Sequence, residues 1–439
     1  MEKIVSYFKL NERKTTIRTE FLGGFTTFLA MAYILFVNPD ILSATGMDFG
    51  AVFTVTALAA AIGTLIMGLY ANYPVALAPG MGMNAFFAFS VVIGLGIPWQ
   101  TALAGIFCSG ILFVIISFSG LREIIINAIP LSLKYAVGTG IGFFIAFIGF
   151  KNAGIIVADE ATFVTFTAFD DPETVKSTVL AILGVIITIV LYVKEIPGAI
   201  FIGMIVTSLI GIFIGEVSIP TQIISTPPSI EPTFGALFEP LTNPDTYNLT
   251  FLVVVITFLF VDFFDTAGTL IAVGTQAGLI DDEGKLKGSQ RALLADSTAT
   301  LAGAVLGTSS TTAFVESLTG VKSGARTGLA SVFTAIFFIL ALFFSPLLSV
   351  VTSAVTAPAL IMVGALMVTS FGKIDWTDIA ITIPSFTTVI IMTLAYSIAD
   401  GLAAGFILYT IIMIATNRSK EVHPIMYVLS ILFVVYFII

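Results

Sequence analysis

Gly307-Thr-Ser-Ser-Thr-Thr-Ala-Phe-Val-Glu316 cannot be an ordinary membrane helix, yet it sits in a chain made largely of such helices. Its β-branched and hydroxyl residues favour an extended strand that enters a short helix. A second interrupted stretch, Tyr73-Pro-Val-Ala-Leu-Ala-Pro-Gly-Met-Gly-Met-Asn84, carries two prolines and two glycines. Proline removes a backbone donor and glycine is a poor helix former, so this stretch is also broken. The two are the third and tenth of fourteen apolar segments, matching places in two sets of seven. An odd repeat length sets the halves in opposite orientations. That is the inverted-repeat plan of many secondary transporters, with a binding site at the midplane between broken helices. A strand facing lipid would leave backbone groups unpaired, so both strands must be buried in protein or line a cavity.

Working outward, a segment needs about 20 apolar residues to cross the hydrocarbon. Spans are expected near 21–38, 50–70, 72–93, 98–118, 130–150, 176–193, 197–215, 248–272, 289–306, 308–322, 324–345, 350–371, 377–396 and 399–416. A further apolar run at 424–439 is short and either lies at the interface or crosses tilted. The chain is 57% hydrophobic and 10% charged, where a soluble domain carries about 25% charged residues. This is a polytopic membrane protein. The Ala30-Met31-Ala32 triplet resembles a signal-peptide cleavage site, but the apolar run continues to Val37 and reads as the first span.

Charge tests the span count. With the N-terminus inside, every Lys and Arg except Lys151 and Lys176 becomes cytoplasmic, as the positive-inside rule asks. Arg122 and Lys285 are among the cytoplasmic ones. Acids such as Asp159, Asp170, Asp171, Glu173 and Glu231 gather in the two long outer loops, 151–175 and 216–247. Neither loop looks like a separate soluble domain. Both flanks of the fourteen-span unit are expected to be cytoplasmic, in a multi-pass protein of the cell membrane. The net charge of −9 argues against nucleic acid as a partner. The single cysteine, Cys108, excludes an intrachain disulfide and a cysteine-rich metal site.

Asp262, Asp265, Asp296 and Glu316 lie within or at the start of apolar stretches. A carboxylate at membrane depth costs roughly 2.5–3.5 kcal/mol on insertion scales and is tolerated facing a cavity, a partner or a pathway. Asp262 and Asp265 share roughly one helix face, which Gly268 and Thr269 continue. Two carboxylates this close favour keeping a proton on one of them, a natural proton-binding site. Glu316 starts the half-helix of the tenth segment, where it accepts a ligand's N–H groups, carries a proton or caps the helix. Asp296, beside Ser297, Thr298 and Thr300, reads as support for the site through those hydroxyls or nearby backbone. In the third segment, Gly80 and Gly82 let the backbone approach a ligand, and Asn84 adds an amide. Phe314, two residues before Glu316, falls on a similar side by strand alternation and could stack on a flat ligand.

These motifs together resemble the AzgA-like purine permeases of the nucleobase–cation symporter family. The similarity runs through Asn11-Glu-Arg-Lys-Thr-Thr-Ile-Arg-Thr-Glu20, Ala78-Pro-Gly-Met-Gly-Met-Asn84, Asp262-Phe-Phe-Asp-Thr-Ala-Gly-Thr269, Ser310-Thr-Thr-Ala-Phe-Val-Glu-Ser317 and Ala395-Tyr-Ser-Ile-Ala-Asp-Gly401. The resemblance implies a core domain (21–120 and 248–345) and a gate domain (121–215 and 346–416). Residues 1–20 and 417–439 would flank them as an N-terminal and a C-terminal segment. It implies import of hypoxanthine, guanine or adenine bound between the third and tenth segments by Asp265, Glu316 and Asn84. Where related uracil carriers have a histidine one turn after the eighth-span acid, this chain has Thr269, which leaves Asp265, Glu316 and Asp262 as the candidate proton carriers. The coupling cation implied is H+, with Na+ open, and several members form homodimers. No cofactor is implied.

Two other functions fit these residues less well. An anion transporter on the same fold would want a basic residue at the midplane, where this chain has acids. A Mg-dependent intramembrane prenyltransferase could use Asp262 and Asp265, but its diphosphate needs Arg or Lys beside the metal. Neither an HExxH nor a GxSxG motif is present.

Overall fold

The computed structural model describes residues 2–119, 129–169, 172–279 and 286–438. Arg122, Asp170, Asp171 and Lys285 lie outside the described residues, as does the expected domain boundary at 121. In chain order the elements are α1 (Glu2–Tyr7), α2 (Ile17–Met31), α3 (Ile34–Ser43), α4 (Phe49–Ile66), β1 (Leu77–Pro79), α5 (Met81–Ala85) and α6 (Trp99–Ser119). Then come α7 (Leu131–Asn152), β2 (Ile156–Asp159), β3 (Phe163–Phe166), α8 (Pro172–Val193), α9 (Ala199–Phe213) and α10 (Phe238–Thr242). The second half holds α11 (Leu249–Gln276), α12 (Ser289–Leu306), β4 (Thr311–Ala313), α13 (Ser317–Lys322), α14 (Gly328–Ala341), α15 (Ser353–Met367), α16 (Ile379–Leu394), α17 (Ile398–Ala415) and α18 (Pro424–Ile438).

Among the described residues, nine helices are long and apolar enough to cross a membrane. Shorter apolar helices cover Met81–Gly94, Ala199–Phe213, Ile379–Leu394 and Pro424–Ile438. Every expected span except 289–306 coincides with one of these or with a strand–helix unit; 289–306 is the helix α12, which is not among the apolar helices. The last run, Pro424–Ile438, is a helix packed on α17 through Thr410 and Ser430, 2.7 Å apart, and the rings of Phe406 and Phe433.

The two broken segments meet. β1 pairs with β4 antiparallel, Leu77 opposite Ala313, Ala78 opposite Thr312 and Pro79 opposite Thr311. Gly80 N–H to Ser310 O and Phe314 N–H to Ala76 O, each 3.0 Å, extend the pairing at both ends. Every residue of both strands is buried, which meets the demand that non-helical backbone stay out of lipid.

Three features depart from the expectation. The first span is not one helix over 21–38: α2 ends at Met31 and α3 begins at Ile34. Around Tyr33 the ladder tightens, with Leu35 N–H bonding Ala32 O and Phe36 N–H bonding Tyr33 O. Second, π-helical turns at Met67–Ala71 and Phe86–Gly94 replace regular helix. Third, the 151–175 loop holds a β2–β3 hairpin, whose second strand, Phe163-Val-Thr-Phe166, is made of residues that favour strands.

Helix packing relies on backbone contact at glycines, as in many membrane bundles. A Cβ on Gly328 would overlap the Gly68 carbonyl oxygen, and one on Gly142 would meet the Gly364 oxygen at 2.8 Å. Glu20, fully buried near the start of α2, accepts from the backbone N–H groups of Arg326 (2.9 Å), Thr327 (3.2 Å) and Ala330 (3.2 Å). It thereby fills the open donors at the N-terminus of α14.

Candidate functional site

The four acids converge on the strand pair, but they do different things. α11 runs beside β4 and meets it residue by residue. Ser310 Oγ donates to Asp262 Oδ2 at 2.6 Å, Thr312 Oγ1 points to Asp265 Oδ2 at 3.5 Å, and Ala313 N–H reaches Thr266 Oγ1 at 3.5 Å. The shared face predicted for Asp262 and Asp265 is therefore the face toward β4.

Asp262 is 1% exposed and also accepts from Thr300 Oγ1 at 3.1 Å. Thr300 Oγ1 also lies 3.0 Å from Thr311 O, so its one hydrogen is shared between the two acceptors. The carboxylate thus ties α11 and α12 to the strand, with its other oxygen unpartnered. Asp296 is fully buried and accepts from Thr266 Oγ1 at 2.9 Å. Of the two supports expected for Asp296, neighbouring hydroxyls or nearby backbone, the hydroxyls beside it in α12 do not reach it. Ser297 and Thr298 turn back to Leu294 O, as small hydroxyl residues in helices do, and Thr300 serves Asp262.

Asp265 and Glu316 are only partly buried. Glu316 occupies the N-cap position of α13 without a side-chain cap bond. Instead Tyr33 Oη donates to Glu316 Oε1 at 2.6 Å, so the capping reading finds no contact here. Tyr33 is the residue at the break in the first span, and its ring is wholly buried. The strand alternation invoked for Phe314 stops short, because β4 ends at Ala313 and Glu316 has helical angles. The Phe314 side chain is 5% exposed within the main core. Thr269 is buried one turn beyond Asp265.

On the third segment, Asn84 is fully buried in α5 and takes a hydrogen bond on Oδ1 from Ser309 Oγ. Its Nδ2 has no protein partner. Gly80 faces Thr312: a Cβ there would lie 2.6 Å from Thr312 Oγ1. Gly82 abuts Ile141 of α7, 2.8 Å from its Cγ2, so its smallness serves a helix contact.

Sequence reasoning missed Tyr33, Thr266, Thr300, Ser309, Ser310 and Thr312. A usable signal existed for two of them. Ser310 and Thr312 alternate along a strand with the spacing needed to meet acids one helical turn apart on a neighbouring helix. Among the described residues, no Lys, Arg or His hydrogen bond or ion pair reaches the four acids.

Two partly buried carboxylates, Asp265 and Glu316, thus stand beside the paired strands. The Permease family model matches residues 18–404. The chain belongs to that family. This permease is 55% identical over 442 residues to the guanine/hypoxanthine permease PbuG of Bacillus subtilis (strain 168), covering 99% of both proteins. It is 42% identical to the adenine permease AdeP of Escherichia coli (strain K12), covering 97% of this chain and 94% of AdeP. In three dimensions it resembles the transmembrane domain of the cyanobacterial bicarbonate transporter BicA, with a TM-score of 0.65. That match covers 88% of this chain and 97% of the other at 14% identity, a likeness of fold. The resemblance to purine permeases and the seven-plus-seven helical membrane fold with strands in its third and tenth segments are both borne out.

Proposed function

We propose that this permease carries purine nucleobases (hypoxanthine, guanine or adenine) across the cell membrane by proton symport. The observation that carries the reading is the placement of Asp265 and Glu316. Both are partly exposed beside the β1–β4 pair, while Asp262 and Asp296 are sealed behind it. A neutral purine offers several N–H donors, which suit carboxylate acceptors. In this reading Asp265 and Glu316 hold the base and exchange the proton. Asn84, Thr269 and the backbone at Gly80 complete the polar lining, with Phe314 behind them as an apolar wall. Asp262 and Asp296 keep the strand in place. The core (21–120, 248–345) then moves against the gate (121–215, 346–416) to give alternating access. The names of the relatives support the substrate class.

The test is uptake of radiolabelled hypoxanthine, guanine, adenine and uracil into proteoliposomes, with and without a proton gradient, for wild type and Glu316→Gln. Gradient-driven purine uptake that Glu316→Gln abolishes supports the site and the coupling. Purine uptake that persists unchanged after the gradient is dissipated refutes proton symport.

A further inference from the structure

The face that carries the N-terminal segment has a cleft of about 1080 Å3, a size that suits a small ligand. Lys9, Arg13, Lys14, Lys287, Arg291 and Arg326 line it, against one acid, Glu12. Glu12 is spoken for by Lys9 at 3.3 Å. Residues 281–283, acidic in the sequence, lie outside the described residues.

Topology asks for positive charge in loops on this side. It does not ask that cations from three separate segments share one concavity. Nor does it ask for the way the inner two are held. Arg13 Nη1 donates to the carbonyls of Asn72 (3.2 Å) and Arg326 (2.8 Å). Arg326 Nη1 donates to the carbonyls of Val321 and Ala325, both at 2.7 Å. Main-chain oxygens position both guanidinium groups, and among the described residues no carboxylate bonds either one. Burial lowers the Arg13 pKa, with Tyr73, Glu20 and Glu12 pulling the other way, as expected of a cation short of direct counter-charge.

The rim adds flat apolar surface. Tyr70 and Tyr7 are 50% and 59% exposed, and Tyr7 is anchored by its hydroxyl to Leu69 O at 2.7 Å. Arg291 sits over the Tyr70 ring at 5.9 Å. Arginine forks match phosphate oxygens in pairs, and tyrosine faces stack on planar rings.

We propose that this cleft is a binding site for a phosphate-bearing anion, separate from the site at the strands. The phosphate would sit against Arg13 and Arg326, with Lys14, Lys287 and Arg291 closing around it. Two sources share that chemistry: a soluble phosphate ester with a planar ring, and an anionic lipid headgroup.

The test uses the full-length protein in nanodiscs. One arm measures binding of radiolabelled guanosine monophosphate in phosphatidylcholine discs, with excess hypoxanthine present to occupy the transport site. The other arm counts phosphatidylglycerol retained from mixed discs by native mass spectrometry. The probe variant is Lys14→Gln/Lys287→Gln/Arg291→Gln, whose altered side chains make no hydrogen bond or ion pair holding the fold. Lys14→Gln alone serves if the triple variant loses its melting transition.

Saturable, salt-sensitive binding in either arm, weakened at least tenfold in the triple variant or threefold in Lys14→Gln, supports the site. Nucleotide binding in the first arm names a soluble ligand, and retained phosphatidylglycerol alone names a lipid. No binding in either arm, or undiminished binding in the variant, overturns the proposal.

Discussion

The carboxylate of Glu20 and the backbone N–H of Thr327, more than three hundred residues apart, meet at 3.2 Å where α14 begins. Hydrogen bonds from N–H groups to a charged acceptor contribute on the order of 1.5–3 kcal/mol each, and removing the acceptor strands the donors. Glu20→Ala is therefore expected to destabilise the protein by about 3 kcal/mol. Glu20→Gln, which keeps one acceptor oxygen, should cost less. Melting in detergent, followed by intrinsic fluorescence, checks both. Equal melting temperatures for Glu20→Ala and wild type would remove the cap from the account.

Asp265 and Asp262 should separate transport from folding. Asp265→Asn is expected to abolish nucleobase uptake and leave the melting temperature within a degree or so of wild type. Asp262→Ala removes the acceptor of the Ser310 hydroxyl, while Thr300 keeps Thr311 O, and a buried donor left unmet costs about 1–3 kcal/mol. Its melting temperature should fall clearly. Paired uptake and melting measurements decide the matter, and a stable, active Asp262→Ala protein would contradict the structural role given to that residue.

Tyr33 orients Glu316, so Tyr33→Phe should raise the KM for purine roughly tenfold, the equivalent of one charge-assisted hydrogen bond. The buried ring is retained, and expression and melting should be unchanged. Initial-rate uptake across substrate concentrations measures this directly. An unaltered KM would mean the hydroxyl has no part in holding the carboxylate for its ligand.

The turn of the β2–β3 hairpin should be acid-sensitive. Asp159 Oδ1 accepts from Thr162 N–H (2.8 Å), Thr162 Oγ1 (2.9 Å) and Ala161 N–H (2.9 Å), and these bonds hold its carboxyl below the usual carboxylate range. A depressed folded-state value stabilises the turn above the ordinary Asp value of about 4. That stability is lost as the pH falls through the folded value. Amide exchange at Ala161 and Thr162, corrected for its intrinsic rate, should show falling protection below about pH 4. In Asp159→Ala the protection should be low at every pH. Protection in wild type that stays flat through the acid range would dismiss the turn as a titrating element.

The sequence was informative where chain chemistry is local. The prolines and glycines of 73–84 and the hydroxyl-rich run 308–312 disfavour regular helix, so both interruptions were readable, and their burial followed from the cost of unpaired backbone in lipid. The acids were readable for the same reason. Their division of labour was not. Whether Asp262 or Asp265 is sealed depends on which hydroxyls of β4 lie opposite, a register set by packing between distant segments. Tyr33 was hidden in the same way, since its partner lies 283 residues further along the chain. The partner of Asp296 was not legible either, because nearby hydroxyls in a helix prefer the carbonyl one turn back to a side chain beside them.

The β1–β4 pairing also dictates an order of manufacture. Residues 77–79 leave the ribosome long before residues 311–313 exist, and among the described residues nothing else forms their ladder. Until the second half arrives, the third segment must wait with its backbone groups provisionally satisfied by water or by the insertion machinery. A half-length chain should therefore be a quality-control substrate, cleared by membrane proteases even when all its helices have inserted.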